Sequence, residues 1–121
     1  MIKSESAARQ LNEAVNSLIN QGLVVESIGI ADVPIPVKIE SVNNHAAKRM
    51  LERGMTESDA QSFIDNAMVM FVQDDDTRRL YISSDGNSAV LIEGNKLLSA
   101  YTAEYFDDGV KRIIEEVKKY G

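Results

Sequence analysis

Residues 68–106 read MVMFVQDDDTRRLYISSDGNSAVLIEGNKLLSAYTAEYF. Within this stretch, four runs of apolar, branched and aromatic residues are separated by DDDT, DGN and GN, which are sequences that favour turns. Apolar side chains recur in these runs with a period near two, which is the period of a β-strand. The stretch therefore predicts a four-stranded antiparallel β-meander.

Helices are predicted at both ends of the chain. From Ser4 to about Gln21 the apolar residues fall on one helical face, and Gly22 follows as a stop signal. Residues 107–121 show the same spacing and are lysine-rich near their end, where the helix dipole favours positive charge. The apolar face of this last helix consists of Val110, Ile113, Ile114 and Val117.

Two short helices are predicted immediately before the meander. The first runs from about residue 44 to residue 53, and Gly54 is placed to adopt a left-handed C-cap conformation. The sequence TESD at residues 56–59 resembles a capping box and opens the second helix, which extends to about residue 66. The two helices are expected to meet at a tight corner.

The segment between the first helix and this corner is predicted to be extended. Residues 23–30 are rich in branched side chains and resemble a strand. Residues 31–42 contain Pro34 and Pro36, which cannot lie in a central strand because proline lacks the backbone donor. We interpret residues 31–42 as a linker or an edge segment.

The order of elements predicts an α+β fold, in which N-terminal helices pack on the four-stranded antiparallel meander and a C-terminal helix closes the chain. We expect the helices to cover one face of the sheet and to leave the other face to water or a ligand. The length predicts one domain, residues 1–121. Its parts are residues 1–40 (helix and extended segment), 41–106 (corner and meander) and 107–121 (C-terminal helix).

Composition narrows the possible functions. The chain has no cysteine and one histidine, which excludes a disulfide framework, a thiolate zinc site, a thiol nucleophile and a histidine-rich metal site. No apolar run approaches the roughly 20 residues that span a bilayer, and MIKSESAARQ lacks the apolar region of a secretory signal. The formal net charge is -6, so any contact with nucleic acid must come from a local basic cluster.

One such cluster is predicted on the first helix of the corner. His45, Arg49 and Arg53 are spaced four residues apart and therefore lie along one helical stripe. An imidazole suits proton transfer near neutral pH, and a guanidinium matches the geometry of phosphate oxygens. This pattern is what phosphodiester cleavage without a metal requires, although an ordinary solvated helix face has the same composition.

Polar side chains on two predicted strands are candidate partners for this stripe. In the last strand, alternation places Ser99 and Tyr101 on the same face as Leu97. In the second strand, Arg79 and Tyr81 share a face. The alternative is that these residues form the ordinary solvent face of a sheet.

The strings HAAKRMLERGMTESDA (45–60) and LLSAYTAEYF (97–106) resemble the barnase/EndoU/colicin/RelE superfamily of small metal-independent ribonucleases. They are most similar to the members found as C-terminal toxin domains of bacterial polymorphic and contact-dependent inhibition systems, and as phage-associated domains. In those members a helical segment supplies His and Arg, and a late strand supplies a hydroxyl and a Tyr. The resemblance covers roughly residues 40 to 106, and it implies that residues 41–106 are a nuclease core.

The resemblance implies attack of a ribose 2′-hydroxyl on the adjacent phosphate, which leaves a 2′,3′-cyclic phosphate and a 5′-hydroxyl. The implied catalytic residues are His45, Arg49, Ser99 and Tyr101. The residues expected to bind substrate are Lys48, Arg53, Arg79, Tyr81 and Thr102. His45 would transfer a proton and Arg49 would stabilise the transition-state charge. Since the chain has only one imidazole, the second proton transfer would fall to Tyr101, Arg49 or water.

The implied partners are RNA, tRNA among the candidates, and a cognate immunity or antitoxin protein that covers the basic site. No cofactor, metal or membrane is expected, and the site of action would be the cytoplasm, after delivery as part of a larger toxin. The alternative is a non-catalytic acidic interaction module, either immunity-like or phage-associated. A nucleotide site is a third reading, but the sequence has no glycine-rich phosphate loop.

Overall fold

The computed structural model describes residues 1–120, and Gly121, the last residue of the predicted C-terminal segment, lies outside the described residues. The described residues form four helices, which are α1 (Glu5–Asn20), α2 (Asn44–Glu52), α3 (Glu57–Asp65) and α4 (Asp108–Tyr120). The strands are β1 (Ile30–Asp32), β2 (Ser41–Val42), β3 (Val69–Gln73), β4 (Arg78–Ile82), β5 (Ser88–Glu93) and β6 (Lys96–Thr102). Short 3₁₀ turns occupy Glu26–Ile28 and Ala103–Tyr105. The fold class is α+β, as predicted.

The predicted signals explain where the helices begin and end. The Ser4 hydroxyl accepts a hydrogen bond from the Ala7 backbone N–H at the start of α1. Gly54 has a φ of 68° directly after α2, which is the left-handed conformation that glycine adopts without strain. Thr56 and Asp59 form a reciprocal capping box at the start of α3. These local features confirm the predicted helical corner.

The sheet contains the predicted meander but is larger than the meander. Strands β3 to β6 pair antiparallel with their neighbours, while the complete strand order is β1-β3-β4-β5-β6-β2. β1 pairs antiparallel with β3, and β2 pairs parallel with β6. The prediction of four antiparallel strands is therefore incomplete, because the structure has a six-stranded mixed sheet. The two added strands are only three and two residues long, which is too short to show a period-two pattern.

Helices cover both faces of the sheet. On one face of the sheet, strand residues such as Phe71 and Leu80 belong to a first hydrophobic cluster, which also includes buried residues of α1 and α4. Their neighbours Met70 and Tyr81 belong to a second cluster that includes buried residues of α2 and α3. The expectation that one face is left open is therefore wrong. Both faces are covered because the strands are apolar on both sides, as in sheets that are buried between two layers.

The segment between β1 and β2 joins opposite edges of the sheet and is held along its length. The Tyr81 hydroxyl donates to the Ile35 carbonyl at 2.6 Å. The Gln61 side chain accepts from the Ile39 backbone N–H at 2.8 Å and so ties this segment to α3. Ile39 is buried in the second cluster. Residues 33–40 are therefore part of the packed structure, not a free linker.

The outer edge of β1 is satisfied by a side chain of α1. The Asn12 carboxamide accepts from the Ala31 N–H at 2.8 Å and donates to the Ala31 carbonyl at 2.9 Å. These are the backbone groups that a further strand would pair with, because Ala31 lies in the middle of β1 at the edge of the sheet. Asn12 thus occupies the pairing position and blocks strand addition at this edge.

Candidate functional site

Helix α2 and strand β6 enclose a shallow groove of about 170 Å³, which we call the basic groove. Its lining consists of His45, Ala46, Arg49 and Arg53 from the helical corner and Leu98, Ser99 and Ala100 from β6. Ala46 and Met50 are buried in the second cluster and fix the rotation of α2 about its axis. This rotation directs the predicted basic stripe towards β6.

The start of α2 is fixed by a side-chain cap. Asn43 adopts a non-helical conformation, and its side-chain oxygen accepts from the backbone N–H of His45 at 2.9 Å. His45 therefore lies in the first turn of the helix, with its side chain exposed to solvent. An exposed imidazole at the mouth of a groove can exchange protons with a bound ligand and with water.

Arg53 is the fixed member of the basic stripe. One guanidinium nitrogen donates to the Ala100 carbonyl at 3.0 Å, and the guanidinium carbon lies 4.1 Å from the centroid of the Tyr105 ring. The residue is half-buried, whereas His45 and Arg49 are exposed. Arg53 therefore forms a rigid end of the basic groove, and Arg49 is free to contact a ligand.

The positive charge of the stripe is not neutralised by ion pairs within residues 1–120. The ion pairs in that range join Arg78 to Asp74 and Glu93, Lys118 to Glu115, and Lys119 to Glu116. All of them lie away from α2. The basic groove is thus a local positive site on a chain whose net charge is -6.

A β-bulge in β6 changes which residues face the groove. Leu91 pairs with Ser99 and Ile92 pairs with Leu97, so Leu98 is an extra residue without a partner. Leu97 consequently faces the second cluster. Directly paired residues share a face, so Ser99 lies on the face of Leu91, which packs against the first cluster. The prediction that Leu97 and Ser99 share a face is therefore wrong, although Ser99 is part of the lining of the groove.

Tyr101 lies on the face of the sheet opposite to the basic groove. It pairs with Ala89, packs against the first cluster and makes an edge-to-face contact with Phe106 at 5.6 Å between ring centroids. Burial, with a smaller effect of the nearby Asp107 carboxylate, raises the pKa of the Tyr101 phenol. The structure does not bring Tyr101 together with His45 and Arg49.

Tyr81 is a core residue. Its side chain is fully buried in the second cluster and donates to the Ile35 carbonyl, and burial raises the pKa of its phenol. Substrate binding by Tyr81 would require the core to open, so this predicted role does not fit the structure. Arg79, on the same strand, pairs with Val72 and Ile92 and does not line the basic groove.

Two further predicted substrate-binding residues also lie outside the lining of the basic groove. Lys48 is exposed on α2. Thr102 is half-buried at the end of β6, where its hydroxyl donates to the Glu104 carboxylate at 3.2 Å. Lys48 can still add positive charge next to the groove, because it lies on the same helix as Arg49.

Tyr105 adjoins the basic groove through Arg53, although no sequence pattern predicts it as a site residue. Its ring contacts Arg53 and is more than half exposed, although it belongs to neither strand nor α-helix. The only sequence signal was an aromatic residue that follows the last strand by three positions. Without the position of Arg53, that signal does not distinguish Tyr105 from any other loop aromatic.

The arrangement brings together one proton-transfer group and two guanidiniums at a concave surface. Such a set can bind a phosphodiester, stabilise added negative charge and move one proton. Among residues 1–120, no group of three or more His, Cys, Asp or Glu side chains is placed to hold a metal ion. Over the same range, no helix is long and apolar enough to cross a membrane.

No protein-family model, curated protein or solved structure matches this chain.

Proposed function

We propose that the chain is a ribonuclease domain that cleaves RNA without a metal ion, with the basic groove as its active site. The observation that supports this most is the convergence of His45, Arg49 and Arg53 on one groove beside β6. The resemblance of residues 45–60 to small metal-independent ribonucleases gives the same assignment for these positions.

The proposed reaction exchanges one ester bond of the phosphate for another. The ribose 2′-oxygen forms a bond to phosphorus as the bond from phosphorus to the 5′-oxygen breaks, giving a 2′,3′-cyclic phosphate and a 5′-hydroxyl. One proton leaves the 2′-hydroxyl and one is delivered to the 5′-oxygen. His45 carries one of these transfers, and Arg49 stabilises the charge on the phosphate oxygens in the transition state.

The second proton transfer is assigned to water. The basic groove holds a single imidazole, and the phenol of Tyr101 lies on the other face of the sheet. The mouth of the groove is open to solvent at His45 and Arg49, so water reaches the reacting phosphate. Of the three candidates for this transfer, which are Tyr101, Arg49 and water, we therefore favour water.

The proposed biological setting is that of a bacterial toxin domain. Its substrate is RNA, tRNA among the candidates, in the cytoplasm of the target cell, which the domain reaches as part of a larger protein. The host would require an immunity or antitoxin protein that covers the basic groove. Acidic side chains on that partner would complement the guanidiniums of Arg49 and Arg53.

A second candidate function is a non-catalytic interaction module that binds a basic protein. It is favoured by a separate groove of about 460 Å³ beside the edge strand β1. This groove is lined by Glu26 and the acidic run Asp74–Asp76, and it includes Ile30, which is 66% exposed. An exposed apolar side chain ringed by carboxylates fits a partner with a basic rim around an apolar centre.

The two functions are separated by incubating the purified domain with total bacterial RNA, and separately with tRNA, in EDTA. His45→Ala is the test variant, and Lys111→Ala, an exposed position on α4 on the opposite face of the sheet, is the control. Cleavage by the wild type and by Lys111→Ala, with its loss in a folded His45→Ala protein, is the expected result. Intact RNA in all samples would reject the ribonuclease and favour the interaction module.

A further inference from the structure

Tyr105 is an exposed aromatic residue without a packing role. It has 52% of its surface exposed and belongs to neither hydrophobic cluster. By contrast, Tyr81 and Tyr101 both pack against the cores. The Tyr105 ring lies in the 3₁₀ turn directly after β6, the strand that lines the basic groove.

Arg53 connects this ring to the basic groove. Its guanidinium lies 4.1 Å from the centre of the ring and also donates a hydrogen bond to the Ala100 carbonyl. A cation at this distance over an aromatic face makes a favourable cation–π contact. The contact occupies one face of Tyr105, while 52% of the residue's surface remains exposed. Through its contact with Arg53, the ring therefore adjoins the basic groove.

Flat surfaces of this kind bind the bases of single-stranded nucleic acids. Unpaired bases stack on tyrosine rings and on arginine planes, and the stacking tolerates any base because every base has a π-face. A phosphate held at Arg49 and Arg53 would place the base of an adjoining nucleotide next to the Tyr105 ring. Stacking there would orient the ribose, and with it the 2′-hydroxyl that must attack the phosphate.

We infer that Arg53 and Tyr105 form a stacking site for an unpaired nucleobase of the RNA substrate, adjoining the phosphate position at His45 and Arg49. The inference rests on the proposed ribonuclease function and adds a substrate class to it, which is single-stranded RNA with a base next to the scissile phosphate. Tyr105 is then a binding residue, and its hydroxyl has no part in the contact.

The test measures binding of a short single-stranded oligonucleotide with 2′-O-methyl riboses, which lack the attacking hydroxyl. A second oligonucleotide of the same length has the same backbone without bases. Fluorescence anisotropy compares the wild type, Tyr105→Ala and Tyr105→Phe on both. Tyr105→Ala is expected to bind the base-bearing oligonucleotide about tenfold more weakly or worse and the abasic one unchanged, because stacking contributes only where a base is present. Tyr105→Phe is expected to bind both as the wild type does.

Two other outcomes of the binding measurements would contradict base stacking on Tyr105. An equal loss on both oligonucleotides would mean that Tyr105 acts only by holding Arg53, and no loss on either would mean that it has no role. Both results leave the ribonuclease proposal standing if the wild type still cleaves RNA. Absence of both cleavage and binding in the wild type would overturn the two proposals together. Circular dichroism of each variant confirms that the exposed substitution leaves the fold unchanged.

Discussion

The two faces of the sheet differ in the length of the helices that pack against them. On one face α1 and α4 have 16 and 13 residues, whereas on the other α2 and α3 have nine residues each. At 1.5 Å per residue, α1 is about 24 Å long and α2 about 14 Å. The seven residues of β6 span about 23 Å, so α2 is shorter than the strand that it packs against. The basic groove lies between this short helix and β6.

This difference shows why polar residues on the same strand have different environments. Tyr101 faces the long helices and lies in an aromatic contact with Phe106. Ser99 and Ala100 line the groove beside the short helix, together with the guanidiniums of Arg49 and Arg53. Both faces therefore carry a groove, but the groove that includes Tyr101 is lined in part by Leu80 and Leu91, whereas the groove at α2 carries the basic stripe.

The largest expected effect is a difference in the rate of RNA cleavage between substitutions on the two faces of the sheet. Arg49→Ala should lower the rate of RNA cleavage about 100- to 1000-fold, because a donor aimed at transition-state charge is lost. Tyr101→Phe should retain nearly all activity, because the phenol lies on the opposite face of the sheet. Initial rates on a defined single-stranded RNA measure both variants. An inactive but folded Tyr101→Phe protein would show that the face assignment does not describe the active state.

The next effect tests the bulge that sets the two faces of β6. Leu97→Ala should reduce the free energy of unfolding by about 2 to 5 kcal/mol, because Leu97 is fully buried in the second cluster. Leu98→Ala should cost much less, since Leu98 is half-exposed at the groove. Urea denaturation of both variants gives the two values. Equal losses would contradict the difference in burial between Leu97 and Leu98.

The sequence predicted the elements of this fold better than their arrangement. Caps and turns depend on residues that are close in the chain. The corner at Gly54 and Thr56 could therefore be predicted from the local sequence. The bulge at Leu98 could not be predicted in this way. One inserted residue does not change the composition of the strand, but it moves every later side chain to the other face of the sheet. His45, Arg49 and Arg53 came from helical spacing alone, which the structure preserves. The expectation that Leu97 shares the face of Ser99 and Tyr101 came from a strict alternation that β6 does not follow.

A third prediction concerns the edge on the side of the long helices. Asn12→Ala should reduce the free energy of unfolding by about 1 to 3 kcal/mol, because both backbone groups of Ala31 lose their partner. It should also increase self-association, since the edge of β1 becomes free to pair. Asn16→Ala, one helical turn later and exposed, is the matched control. Urea denaturation and light scattering measure the two effects, and identical behaviour of both variants would contradict the protective role of Asn12.

The smallest effect concerns the corner on the side of the short helices. A hydrogen bond from the Thr56 backbone N–H and, to a smaller extent, one with the Thr56 hydroxyl hold the pKa of Asp59 below its usual range. A group with a lowered folded pKa contributes its stability above the unfolded pKa, near 3.9, and loses it as the pH falls through the folded pKa. The melting temperature of the wild type should therefore fall more steeply below about pH 4 than that of Asp59→Asn. Thermal scans between pH 2 and 6 make the comparison, and parallel curves would exclude this contribution.

The segment that joins β1 to β2 also has a consequence for the order of folding. The meander strands pair with their neighbours across short turns. By contrast, β1 and β2 pair with residues far along the chain, Ile30 of β1 with Val72 and Ser41 of β2 with Lys96. Pairings between distant parts of the chain form late, because closing a long loop costs entropy before any contact offsets it. The meander is therefore expected to fold first. Strand β2 and helix α2, which follows it and carries the basic stripe, would then dock together as one late step that completes the basic groove.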